Sequence, residues 1–132
     1  AGLPVVFDYL HFLNHNPEGM GLEEALAETW ATWPAGVRPK LHFSSPRTEM
    51  KRAGRGGPAP ALQAPQWTEH ADFVNPFEFI AFARALPALD VADVMLESKA
   101  KDLAVMRLRA DLHAYAPDIA ARLDAGRPPR SR

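Results

Sequence analysis

Apolar residues along this chain fall into two patterns: short runs that stop at a polar group, and longer stretches with helical spacing. Val5-Val6-Phe7 is the first short run, rich in β-branched residues, and it predicts a buried strand ending at Asp8. Lys40-Leu41-His42-Phe43 predicts a second strand and Val94-Met95-Leu96 a third, the latter followed directly by Glu97. Between the first two, Leu22, Ala25, Leu26 and Trp30 recur at helical spacing while Glu23, Glu24 and Glu28 fill the other face. That predicts a helix from about Leu22, ended by Trp33-Pro34-Ala35-Gly36.

Asn75-Pro76 reads as an N-cap followed by proline at the first helical position. The helix it opens, through Phe77, Ile80, Phe82 and Leu86, is apolar on more than one side and so predicted to be well buried. A further helix is expected from Lys99 to Tyr115 with Leu103, Met106 and Ala110 on its inner stripe. Asp118 to Leu123 adds a last turn or two, and residues 126–132 read as a disordered tail. No period emerges from Ser44 to Asn75, where Gly54, Gly56, Gly57, Pro58, Pro60 and Pro65 predict an irregular loop. Loops beyond about 12–15 residues are uncommon in compact domains unless they bind something or are disordered.

Strand alternating with helix predicts an α/β fold with parallel strands and helical crossovers. Three strands cannot close a barrel and leave two raw edges. Residues 1–125 therefore read as the last three βα units of a TIM (β/α)8 barrel, incomplete as an isolated chain, with a small open sheet as the other option. The barrel is favoured because the conspicuous polar residues all lie at strand C-termini, the face on which barrels place their chemistry. An apolar strand almost at Ala1 also predicts a segment from inside a longer protein.

Composition narrows the chemistry. The chain is 132 residues long, enough for one core, and contains no cysteine. A metal would then sit on oxygen and imidazole donors, and no Cys nucleophile is available. That composition is compatible with a reducing cytoplasm, the location expected. No apolar run approaches the ~18 residues of a membrane span, and no signal peptide is visible, so no membrane partner is expected. The net charge of -1 gives no global basic signal, which leaves nucleic-acid binding to local patches.

A carboxylate or histidine at the end of a buried strand is costly unless something pairs with it. Asp8 and His11 stand three apart across a strand end, although Asp8 also reads as an ordinary turn cap. Lys40 and His42 share one strand face. On a barrel interior Lys40 needs a carboxylate partner or takes up CO2 as a carbamate, whereas on an edge strand it is solvated. His70 reads either as a ligand from the long loop or as a plain polar residue. Glu97 follows three apolar residues and is harder to explain without a partner. Asp8, His11, His42, His70 and Glu97 together offer hard and imidazole donors suited to Mn²⁺, Mg²⁺ or Zn²⁺. Arg47, Lys51, Arg52 and Arg55 against one acid, Glu49, form a basic segment able to grip a phosphate backbone, or simply a solvated loop. Ala53-Gly54-Arg55-Gly56-Gly57 lacks the strand-to-helix context of a phosphate loop.

These residues resemble a known family. Asp8-x-x-His11, Pro39 to Arg47 (PKLHFSSPR), His70-Ala71-Asp72-Phe73 and Asp93 to Asp102 (DVMLESKAKD) are similar, in order and rough spacing, to the C-terminal part of the UV damage endonucleases. The resemblance covers nearly the whole chain. It implies a TIM barrel related to the endonuclease IV type of apurinic endonuclease, cutting damaged double-stranded DNA 5′ of UV photoproducts with a divalent metal cluster, generally manganese. It also implies Asp8, His11, His42, His70 and Glu97 as metal ligands, with Lys40 beside the cluster as a candidate for carboxylation. Lys40 and Glu97 are then the expected catalytic residues, and Arg47 and Lys101 match further motif positions. Family members often carry more histidines around the first motif, where this chain has Tyr9 and Leu10. The earlier strands, with further ligands and the lesion-probing side chains, would belong to a missing N-terminal half, the other expected partner. A metal-dependent sugar isomerase-like barrel uses similar ligand rings, but the basic segment argues against it. A truncated, non-catalytic assembly partner is the remaining alternative.

Overall fold

Alternation decides which way each strand faces. In β2 (Lys40–Phe43), Leu41 and Phe43 are buried while Lys40 is exposed and His42 half-buried. Its neighbours β1 (Phe7–Asp8) and β5 (Asp93–Leu96) run parallel to it on either side. The register sets Phe7 beside Leu41, Asp8 beside His42, and Phe43 beside Leu96. One face of this three-stranded sheet is therefore apolar, and the other carries Asp8, Lys40, His42 and Asp93. The strands lie side by side in chain order, as expected of successive βα units. The computed structural model describes residues 2–53 and 61–125; Arg55, the glycine-rich stretch and the 126–132 tail lie outside them.

Helices α2 (Leu22–Ala31), α3 (Pro76–Ala85), α4 (Asp102–Tyr115) and α5 (Pro117–Ala125) follow the strands, together with a short α1 (Tyr9–Asn14) opened directly by Asp8. The core joins Phe7, Leu41 and Phe43 of the sheet to Leu26, Phe79, Phe82, Leu108, Leu112 and Ile119 of the helices. Asn75 caps α3 as its sequence predicts, accepting from the backbone N–H of Phe77 at 3.0 Å, with Pro76 at the first position. Such a cap contributes about 1 kcal/mol. No helix among the described residues is long and apolar enough to cross a membrane.

Three expectations need correction. Val5 and Val6 are 50% and 42% exposed and lie outside the strand, which is confined to Phe7 and Asp8. The backbone of Val5 is bonded instead to α2's end, donating to Thr32 Oγ1 and accepting from Trp33 Nε1, each at 2.8 Å. In α4 the inner stripe is Ala104, Leu108 and Leu112, while Leu103 and Met106 are 63% and 67% exposed. The buried series continues through Ala116 and Ile119, so packing of α5 and α4 on the sheet selects the face. Finally, the long loop contains an antiparallel two-stranded ribbon, β3 (Lys51–Ala53) against β4 (Ala61–Gln63). Strands of three residues are too short to show a period, and their pairing is visible only in three dimensions.

Candidate metal centre

Asp8 ends β1, His42 sits near the end of β2, and Glu97 follows β5 immediately. Parallel pairing therefore brings all three to the same edge of the sheet, on its polar face. His42 Nδ1 lies 3.1 Å from Glu97 Oε1 and 3.8 Å from Asp8 Oδ2. One ligand atom from each of the three falls within 4.8 Å of the others. Asp8 uses its second oxygen to cap α1, accepting from the His11 backbone N–H at 3.0 Å. The capping role and the site role thus belong to different atoms of one carboxylate, and the cap fixes its orientation. Two carboxylates close together repel unless a cation lies between them. Carboxylate oxygens and an imidazole nitrogen at this spacing are a donor set that fits a hard or borderline divalent ion.

His70 is brought to this edge by the loop that carries it. The segment after β2 and the returning segment lie antiparallel: Arg47 N–H donates to the Glu69 carbonyl at 2.7 Å, Ala71 N–H to the Ser45 carbonyl at 2.9 Å, and Pro46 bridges His70. Lys99 and Ala100 N–H then donate to the Ala71 and Asp72 carbonyls at 3.2 and 3.1 Å, stitching the loop after β5 to the same strip. As a result His70 Nδ1 stands 2.6 Å from the Glu97 carbonyl oxygen and 3.8 Å from Glu97 Oε2. A donor hydrogen at Nδ1 would leave Nε2 with its lone pair free for a ligand role.

The other anticipated residues stand apart from this trio. His11 is exposed on α1, and its ring is not among the converging ligand atoms. Lys40 lies on the same sheet face as His42, one pleat earlier, and is exposed. Arg52 is exposed on the ribbon. Arg47 is 3% exposed, so its charge is spent internally: Nε is 2.6 Å from Glu69 Oε2, while its two terminal nitrogens donate to the Glu49 and Ala64 carbonyls. Buried polar or charged residues among the described ones are confined to Ser44, Ser45 and Arg47, all in one motif.

Sequence reasoning overlooked Glu69. It gathers Arg47, Lys51 and Lys99, and the hydrogen bond from Lys51 holds its carboxyl below the usual carboxylate range, with the three cationic charges adding to the effect against some opposing burial. Its place immediately before His70 was the available signal. Ser45 was also overlooked: its Oγ donates to Glu78 at 2.6 Å and accepts from Asn75 N–H at 2.9 Å, tying β2's end to the start of α3.

Carboxylate and imidazole donors gathered at the C-terminal ends of adjacent parallel strands define an α/β protein with a candidate divalent-metal centre. A family model described as UV-endonuclease UvdE matches residues 1–121, and the chain belongs to that family. It is 34% identical over 115 residues to the UV DNA damage endonuclease of Bacillus pumilus, covering 86% of this chain and 31% of that protein. The corresponding protein of Bacillus cereus strain G9842 is 36% identical over 120 residues, covering 85% and 31%. That of Halalkalibacterium halodurans is 34% identical over 120 residues, covering 86% and 31%. The chain thus spans about a third of the length of these relatives.

Proposed function

We propose that this chain supplies the last three βα units of a TIM barrel that incises DNA 5′ of UV photoproducts, the rest of the barrel corresponding to the remaining length of its relatives. The observation that carries this reading is the convergence of Asp8, His42 and Glu97 at one edge of the parallel sheet. On a barrel, that edge is the catalytic face. Asp8, His42 and Glu97 would hold the metal, with His70 extending the set, and manganese is the expected ion. When bound, a divalent ion supplies Lewis acidity at the phosphoryl group and activates water for in-line attack. The chain's own residues keep that centre in register. Asp8 is fixed by its cap, and Glu97 is flanked by the His42 and His70 rings. Arg47 anchors the loop that delivers His70.

The direct test is incision of a UV-irradiated duplex by the complete protein. We expect a nick 5′ of the photoproduct that disappears with chelator and returns with Mn²⁺. Undiminished incision in chelator, or none with any divalent ion, would overturn the reading.

Lys40 has a separate expected role. In a closed barrel it would face the interior on the same side of β2 as His42. Its amine, once deprotonated, would add CO2 to form a carbamate with release of a second proton, placing an anionic oxygen donor on the face that carries His42. Native mass spectrometry at neutral pH should find one added CO2, lost on acidification, and Lys40→Ala should weaken Mn²⁺ binding. An unmodified Lys40 in the metal-loaded protein would remove this role and leave the ligand trio standing.

A further inference from the structure

Beside the metal edge, three cations meet one carboxylate oxygen. Arg47 Nε, Lys51 Nζ and Lys99 Nζ lie 2.6, 2.5 and 3.8 Å from Glu69 Oε2. Lys51 comes from β3, Lys99 from the loop after β5, and both border a cleft of about 520 Å³ whose lining also includes Glu69, His70 and Glu97. The cleft therefore opens beside Glu97 of the candidate metal trio, with Lys51 and Lys99 matched in number by Glu69 and Glu97 on its walls.

The three cations are not equivalent. The Arg47 side chain is 3% exposed and is further bonded to the Glu49 and Ala64 carbonyls, so it cannot leave Glu69 without abandoning a buried charge. The lysine side chains are each 41% exposed. Exposed ion pairs of this kind contribute little to stability and are screened by salt. If both lysines turn outward, Glu69 keeps Arg47 and is not left unpaired.

We infer that Lys51 and Lys99 form a clamp for a non-scissile phosphate of the DNA backbone, held in position by Glu69 until the duplex arrives. This rests on the endonuclease reading, and it gives the long loop a purpose: the ribbon brings Lys51 to the cleft while Arg47 and Glu69 fix the base from which it acts. Two ammonium groups on one phosphodiester set position along the strand and carry no base preference. The contact is electrostatic, so it must appear in the salt dependence of binding.

The experiment measures duplex affinity of the complete protein from 50 to 200 mM salt, irradiated and unirradiated, for the parent, Lys51→Ala, Lys99→Ala, the double variant and Lys99→Arg. The double variant should lower the log–log salt slope by about one, each single alanine variant by part of that, and all should weaken both duplexes alike, while Lys99→Arg keeps the parent slope. Mn²⁺ affinity, read by calorimetry, should be unchanged by all of them. Parent slopes in the alanine variants would overturn the clamp, even with incision intact. Lysine-dependent duplex binding by a protein that fails to incise would support the clamp and remove the nuclease reading. Inorganic phosphate bound by the parent and lost from the variants, with duplex slopes unchanged, would assign the lysines to a free anion and overturn the DNA-backbone assignment.

Discussion

Glu97→Gln in the complete protein is expected to abolish incision while leaving duplex affinity within a few-fold of the parent. The substitution keeps the shape of the side chain and removes its charge, 3.1 Å from His42 Nδ1 and 3.8 Å from His70 Nδ1. Loss of an outer hydrogen-bond partner of a metal ligand typically costs about 10–100-fold in metal affinity or activity. Loss of a direct anionic ligand should therefore cost at least about 100-fold. Duplex affinity should survive, since the substitution leaves Lys51 and Lys99 of the proposed phosphate clamp in place. Rate and Mn²⁺ affinity should fall together, with the salt slope of DNA binding unmoved. A parent cutting rate would exclude Glu97 as a ligand.

Phe82→Ala should produce the largest loss of stability. Phe82 is fully buried, with its ring centroid 4.9 Å from that of Phe43, 5.6 Å from Tyr9, 6.1 Å from Phe79 and 6.4 Å from Phe7. Removing a buried phenyl ring costs about 3–5 kcal/mol through lost transfer energy and the cavity left behind. That is a large share of the 5–15 kcal/mol that usually separates folded from unfolded. Urea denaturation should show a strongly lowered midpoint with little change in slope. Phe82→Leu, which refills most of the space, should lose far less. A midpoint shift no larger for the alanine variant than for the leucine variant would mean that the aromatic cluster is not the structural centre of the domain. Its place matters to the site as well, since Phe7 and Phe43 occupy the strands whose other sides present Asp8 and His42.

The elements were legible in sequence wherever a local signal was strong. Asn75-Pro76 announced α3 because a cap and a pre-set φ act within one turn. Leu41 and Phe43 alternated with Lys40 and His42 because a strand buried on one face needs period two, and this already set both polar residues on a common side. Asp8 and Glu97 were visible as charges at the ends of short apolar runs, where an unpaired carboxylate is costly.

Other features had no local signature. The sequence pattern sets the stripe of α4 one to two residues out of place, because Leu103, Val105 and Met106 make its first turns apolar in several directions. Only the neighbouring helix and sheet select Ala104, Leu108 and Leu112. The β3–β4 ribbon arises from pairing between segments about ten residues apart, and composition does not encode that register. Arg47 read as a free surface cation, yet Glu69 lies 22 residues further along, and only the fold of the loop brings the two charges together and buries the guanidinium. The sequence by itself thus determined which residues could serve as ligands and which strand faces they share. Tertiary structure alone decided that Asp8, His42 and Glu97 meet, that His11 stands outside them, and that Lys51 and Lys99 share one carboxylate, because those distances depend on strand order and loop closure rather than on neighbours in the chain.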